Sequence, residues 1–229
     1  MSILLCIDSA TSHASVAITK QGKVLGMKRN EIQKDHAAFI QPAITTLLEA
    51  LSLDIKSIAA VCVSEGPGSY TGLRVGMASA KGICYALNIP LITIPTTAIM
   101  AYAAVNNAVI GKNDLIIPMI DARRMEVFSA VYNAALECLE APQPKLLDEA
   151  SYQEWLSKSV VHFTGSGTDK WKTICKDSNA RFSTDSWSAA DMAKMAESMF
   201  NKKQFSSLAY AVPQYSKDFY TPAKKESKS

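Results

Sequence analysis

The stretch best equipped for chemistry is Gly66-Pro67-Gly68-Ser69-Tyr70-Thr71-Gly72-Leu73-Arg74. Its position between an apolar run and a helical pattern makes it a strand-to-helix loop. Glycines let backbone approach a ligand closely, and a helix start offers N–H groups and a positive dipole end to an anion. Ser69, Thr71 and Arg74 add donors. Two phosphate templates fail, however. Walker A requires Gly-x-x-x-x-Gly-Lys, and counting from Gly66 gives Thr71, from Gly68 gives Leu73, with no lysine following. Gly-x-Gly-x-x-Gly fails at Thr71. An anion cradle and a tight turn permitting close packing both stay open. Past the loop, Gly72, Gly76 and Ala80 recur at spacing four, with Ala78, Ser79 and Gly82 nearby. A glycine inside a helix costs about 1 kcal/mol against alanine, so the stripe marks close backbone approach, to this chain's own sheet or to a partner helix.

Other chemistry is thin. His13, His36 and His162 stand far apart, and no histidine pair sits four residues apart on a helix, so no metal site is expected. Cys6, Cys62, Cys84, Cys138 and Cys175 are odd in number and form no Cys-x-x-Cys; reduced, mostly buried thiols fit them. Gly165-Ser166-Gly167 lacks the frame of a nucleophile elbow, so proteolysis is not expected.

The elements that would carry these residues follow from periodicity. Strands are expected at 3–8, 14–19 and 24–29, the last two joined by a turn at Gly22. A helix follows Asp35, placed as its cap, with Ile40, Ile44, Leu47, Leu48 and Leu51 on one face; Pro42 predicts a kink or late start. Residues 58–63 read as a central strand, then come the glycine loop, a helix from Leu73 to Leu87 stopped by Pro90, a strand at 91–94 and a helix from Thr96 to Val105. A second unit opens with strands at 115–120 and 125–132 around the turn Asp121-Ala122-Arg123-Arg124. A helix at 149–157, a strand at 160–164, a helix near 169–175 and a last helix capped by Ser188 complete it. The end, from Lys224, reads as disordered.

The 229 residues, 48% hydrophobic and 20% charged, describe a soluble globular chain. A formal charge of +3, partly in Lys224, Lys225 and Lys228, gives no basic stripe for binding RNA unaided. The start reads as a strand and not a signal peptide, and no apolar run suits a membrane span; a cytoplasmic location is expected.

Three segments together are specific: Ile7-Asp8-Ser9-Ala10-Thr11, the loop Gly66 to Arg74, and Asp121-Ala122-Arg123-Arg124-Met125-Glu126-Val127. They resemble the TsaB (YeaZ) family over the first half and the start of the second. Pro213-x-Tyr215 resembles a family tail motif, with Lys217 where arginine is expected. The resemblance implies an α/β, actin-like ATPase fold (ribonuclease H-like, hexokinase and Hsp70 class) of two similar α/β domains, at 1–105 and 106–205, with an irregular tail at 206–229. It implies a dimerisation subunit, not itself catalytic. Its partners would be TsaD, a paralogue that threonylcarbamoylates adenosine-37 of tRNAs reading A-starting codons, and the ATPase TsaE. tRNA would be met only through the complex, and the isolated chain would form a homodimer.

In the active relative a His-x-x-x-His pair holds a metal; the resemblance places Thr96 and Met100 there. Asp8, Gly66, Gly68, Ser69 and Thr71 become a vestigial nucleotide or anion site. No cofactor is expected beyond weak ATP or ADP binding at a subunit interface. The second phosphate turn carries Arg123 and Arg124 in place of glycine, with one of them suited to a partner or anion contact. Ile40, Ile44, Gly72, Arg74, Gly76 and Ala80 are the expected partner contacts. Two other functions compete: an ATPase or small-molecule kinase active by itself, and direct tRNA binding.

Overall fold

The computed structural model describes residues 2–30, 35–184 and 186–214. Tyr215 and Lys217 of the tail motif, and the end from Lys224, lie outside the described residues. The first sheet is built from β1 (Ile3–Asp8), β2 (Ser15–Lys20), β3 (Lys23–Arg29), β4 (Ile58–Gly66) and β5 (Leu91–Pro95), in the order β3-β2-β1-β4-β5. β1 to β3 form an antiparallel meander, whereas β4 and β5 run parallel to β1. Between these strands lie helices α1 (His36–Ala50), α2 (Tyr70–Leu87) and, after β5, α3 (Thr96–Asn107).

The second sheet repeats the plan. It contains β6 (Leu115–Asp121), β7 (Glu126–Asn133), β8 (Cys138–Leu146), β9 (Val161–Thr164) and β10 (Ala180–Ser183), ordered β10-β9-β6-β7-β8. Read from β8, the order and the directions match those of the first sheet. Two strands were not expected from the sequence. β8 carries Pro142 and Pro144, which an edge strand tolerates because one side of it needs no ladder donors. β10 is four residues at the other edge.

Several boundaries also differ. α2 starts at Tyr70 because Ser69 Oγ accepts from Gly72 N, and it stops at Asn88, which adopts the left-handed conformation at φ 53°. α1 starts at His36 without a side-chain bond from Asp35, and it carries Pro42 on its exposed side. The helix expected at 149–157 shrinks to α4 (Gln153–Leu156), because Tyr152 turns left-handed at φ 62°. Next is α5 (Thr168–Lys172). Ser188 and Asp191 cap each other's backbone in a capping box before a 3-10 turn at Ala189–Met192, which runs into α6 (Ala193–Asn201).

Packing shows how the halves join. Ile40, Ile44, Met77 and Ala80 fill one face of the first sheet. The other face is covered by Ile99 of α3 and by Met192 and Ala196, so the chain returns from the second half to close the first. α3 also packs Ala101 and Ala104 against Ile116 and Tyr132 of the second sheet. Thr97 Oγ1 and Tyr132 OH are 3.0 Å apart across this seam.

Candidate functional site

Between the halves lies a cleft of about 560 Å³. The β1–β2 turn (Thr11, Ser12) and the start of α2 (Ser69, Thr71) form one wall; the β6–β7 turn (Asp121, Arg123) forms the other. A second cavity of about 530 Å³ lies beside α1 and shares Thr11, Ser69 and Thr71.

The glycine loop is held from within. Ser69 N donates to the Ala10 carbonyl at 2.7 Å. A Cβ on Gly68 would run into that same carbonyl, one on Gly72 into the Ser9 carbonyl and one on Gly76 into the Ser9 hydroxyl. Gly66 has φ +115°, and a Cβ there would stand 2.6 Å from the Gln214 carbonyl. Of the two readings open in the sequence, close internal packing accounts for these four glycines.

Asp8 ends β1 but is 1% exposed and does not line the cleft. Its Oδ1 accepts from Ala10 N at 3.2 Å. Burial pushes its carboxyl above the ordinary value, against the opposing pull of the Ser64 hydroxyl and the Ala10 N–H. Of the expected anion-site residues, Gly68, Ser69 and Thr71 line the cleft, while Asp8 and Gly66 face inward.

The second turn is closed too. Asp121 Oδ1 accepts from Arg123 N at 2.6 Å and from Lys170 Nζ at 2.7 Å. Lys170 Nζ also donates to the carbonyls of Arg124 (2.6 Å) and Glu126 (3.2 Å). Partial burial works to raise the Asp121 carboxyl, yet the Lys170 ammonium and the Arg123 N–H outweigh it and hold the carboxyl below its usual value. Arg123 and Arg124 occupy left-handed backbone, φ 69° and 49°, with both side chains exposed. Lys170 was not singled out in the sequence. It lies 49 residues from Asp121, and only the fold brings the two together.

The positions aligned with the metal-binding pair are interior. Thr96 is 0% and Met100 1% exposed, and the Met100 methyl fills the space a Cβ on Gly165 would enter. The histidines serve separate bonds: His36 Nε2 donates to the Thr11 carbonyl at 2.7 Å, His162 Nε2 pairs with Asp114 Oδ2 at 2.8 Å, and His13 Nδ1 lies 3.1 Å from Ser12 Oγ. Among the described residues, no cluster of three or more histidine, cysteine or acidic side chains could hold a metal ion. Cys6, Cys62 and Cys84 are buried free thiols, and burial raises Cys84 to about 11. Cys138 is exposed and Cys175 half-buried.

The residues expected at a partner contact divide by exposure. Ile40, Ile44, Gly72, Gly76 and Ala80 are all buried within the chain, whereas Arg74 is exposed, its guanidinium 3.9 Å from the centre of the Tyr70 ring. The outward residues of α2 are Thr71, Arg74, Ala78, Gly82, Tyr85 and Ala86, and a Cβ on Gly82 would meet nothing within 4 Å. A second series at spacing four, Arg74, Ala78, Gly82 and Ala86, lies two positions on, on the opposite side of the helix from the buried stripe.

Two sheets of identical order flanking a cleft define an actin-like, ribonuclease H-like α/β protein. The solved YeaZ structure from Pseudomonas aeruginosa superposes with a TM-score of 0.78 over 94% of this chain and 100% of that one, at 23% identity. The ADPNP-bound activator of 2-hydroxyisocaproyl-CoA dehydratase from Clostridium difficile shares the fold more distantly, at a TM-score of 0.50. The family model of TsaD, tRNA N6-adenosine threonylcarbamoyltransferase, matches residues 10–219. "tRNA threonylcarbamoyladenosine biosynthesis protein TsaB" of Bacillus subtilis is 29% identical over 76% of this chain and 75% of its own. Its Escherichia coli namesake is 27% identical over 93% of each. The chain therefore belongs to the TsaD-related family and, within it, to the TsaB (YeaZ) group.

Proposed function

We propose that this chain is a non-catalytic subunit of the machinery that makes threonylcarbamoyladenosine in tRNA, holding a TsaD-type catalytic paralogue in its working shape. One observation carries the reading: the two carboxylates that end the equivalent strands β1 and β6 are satisfied inside the chain. Asp8 is buried, and Asp121 is bonded to Lys170. Meanwhile the outer faces of α1 and α2 are left uncovered by the described residues and are almost uncharged. Across both helices the only aspartate, glutamate, lysine or arginine side chains are Glu49, Arg74 and Lys81. Ordinary exposed helix faces are rich in charge, and depletion of charge is a mark of interface cores. An outward glycine, Gly82, whose Cβ would meet nothing within 4 Å among the described residues, leaves room for a partner helix.

In this reading tRNA is met through the complex, TsaE joins the same assembly, and the isolated chain pairs with itself on the same face. Nucleotide enters only weakly, at a subunit interface. No helix among the described residues is long and apolar enough to cross a membrane, which suits a cytoplasmic machine. The competing reading, an ATPase or kinase active alone, draws on the cleft between the halves. ATP turnover with magnesium separates the two: the purified chain is expected to show none, and robust hydrolysis would favour the enzyme.

A further inference from the structure

Beyond α6, residues 204–214 run back across the first half as a strap. Ser206 N donates to the Leu91 carbonyl at 2.8 Å, and Thr93 N donates to Ser206 Oγ at 3.2 Å, so the strap covers the free edge of β5. Lys81 Nζ of α2 then donates to the carbonyls of Ala209 (3.3 Å) and Ala211 (2.9 Å). Gln214 N donates to the Glu65 carbonyl at 2.7 Å, beside the glycine loop. Leu208 and Ala211 pack against the core under α1 and α2. Tyr210 and Val212 point the other way, 85% and 65% exposed. A segment anchored by its backbone at both ends and by a lysine in its middle has already lost its conformational freedom. Its outward apolar side chains are thus presented in fixed positions, as a preorganised contact surface requires. Lys81 adjoins Gly82 and lies one helical turn from Tyr85, itself 82% exposed, so the strap runs beside the outer face of α2.

We propose that this strap is the second part of the docking surface for the catalytic paralogue. Tyr210 and Val212 would be covered by the same subunit that covers Gly82 and Tyr85, with Lys81 as the positioning residue that holds the strap in place. The inference rests on the function proposed above. Area favours it. Helices of 15 and 18 residues side by side offer a face about 25 Å long and about 20 Å wide, roughly 500 Å². A standard interface takes about 800 Å² from each partner. The strap supplies adjoining apolar surface, including an exposed tyrosine of the type that anchors interfaces.

The test is the affinity of the full chain for the TsaD of its own genome, measured by titration with folding checked by thermal melts. Gly82→Trp, on the helix face, should abolish binding. The double variant Tyr210→Ser/Val212→Ser should melt like the parent yet bind about 10- to 100-fold more weakly, the range of a lost anchor. Lys81→Met should weaken binding several-fold, and Lys81→Arg, which can still reach the strap carbonyls, should restore most of it. If Gly82→Trp abolishes binding and the double variant binds like the parent, the strap inference fails and the docking function stands. If neither variant changes affinity, both fail. Loss of self-association alone in the double variant, with TsaD affinity intact, would also overturn the strap's assignment to the paralogue.

Discussion

Lys170 bonds three acceptors at the Asp121 turn, and in doing so neutralises the carboxylate that another chemistry would need. Lys170→Met is expected to lower stability by about 1 kcal/mol, since the lysine is mostly buried but the aspartate is largely exposed and screened. The pH dependence has a definite sign. A carboxyl held below its ordinary value contributes stability above its unfolded pKa, near 4, and loses it as pH falls through the lower folded value. Urea denaturation should therefore show parent and variant separated at neutral pH and converging below about pH 4. Asp8 has the opposite sign. Its carboxyl is raised by burial, so ionisation works against the fold as pH rises. Asp8→Asn can still accept from Ala10 N, and should melt at or above the parent temperature at neutral pH. That advantage should shrink as acid protonates the parent carboxyl. A large loss of stability at neutral pH in Asp8→Asn would show that the charge is needed.

At the scale of elements, two glycines of one helix have opposite physics. Gly76 is pressed against the Ser9 hydroxyl, so Gly76→Leu should destabilise the chain by about 3 kcal/mol or more and would fail as a probe of partners. Gly82 faces open space, so Gly82→Ala should stabilise the isolated chain by about 1 kcal/mol, the ordinary helix-propensity gain. Melting curves of the two variants should therefore move in opposite directions. The sequence showed that small residues recur along this helix, because spacing needs only the residue types. Which of them look inward depends on where the Ser9–Ala10 turn lies, and that is a tertiary fact. Similar limits hid β8, whose prolines mask a strand whenever edge and centre cannot be told apart, and Lys170, distant in sequence from its acceptors. What could be read directly was the long apolar periodicity of β1, β4 and α2, where local pattern and burial agree.

At the scale of the whole molecule, the repeated strand order puts β1 and β6 in equivalent places, so Asp8 and Asp121 end corresponding strands, yet only Asp121 reaches the cleft. In a phosphate-gripping protein both ends would stay open. Here one is buried and the other is bonded to a lysine, while charge is withdrawn from the outer helices. α3 packs against both sheets, while α6 and the strap return the chain onto the first. The most direct test is the rate of threonylcarbamoyl transfer to tRNA by the TsaD of the same genome. It would be measured with no added subunit, with this chain, with its Gly82→Trp variant, and with this chain in the absence of TsaD. Product is expected to form at full rate only when TsaD and the unmodified chain are both present. Product from this chain without TsaD, or an undiminished rate with Gly82→Trp, would contradict the account.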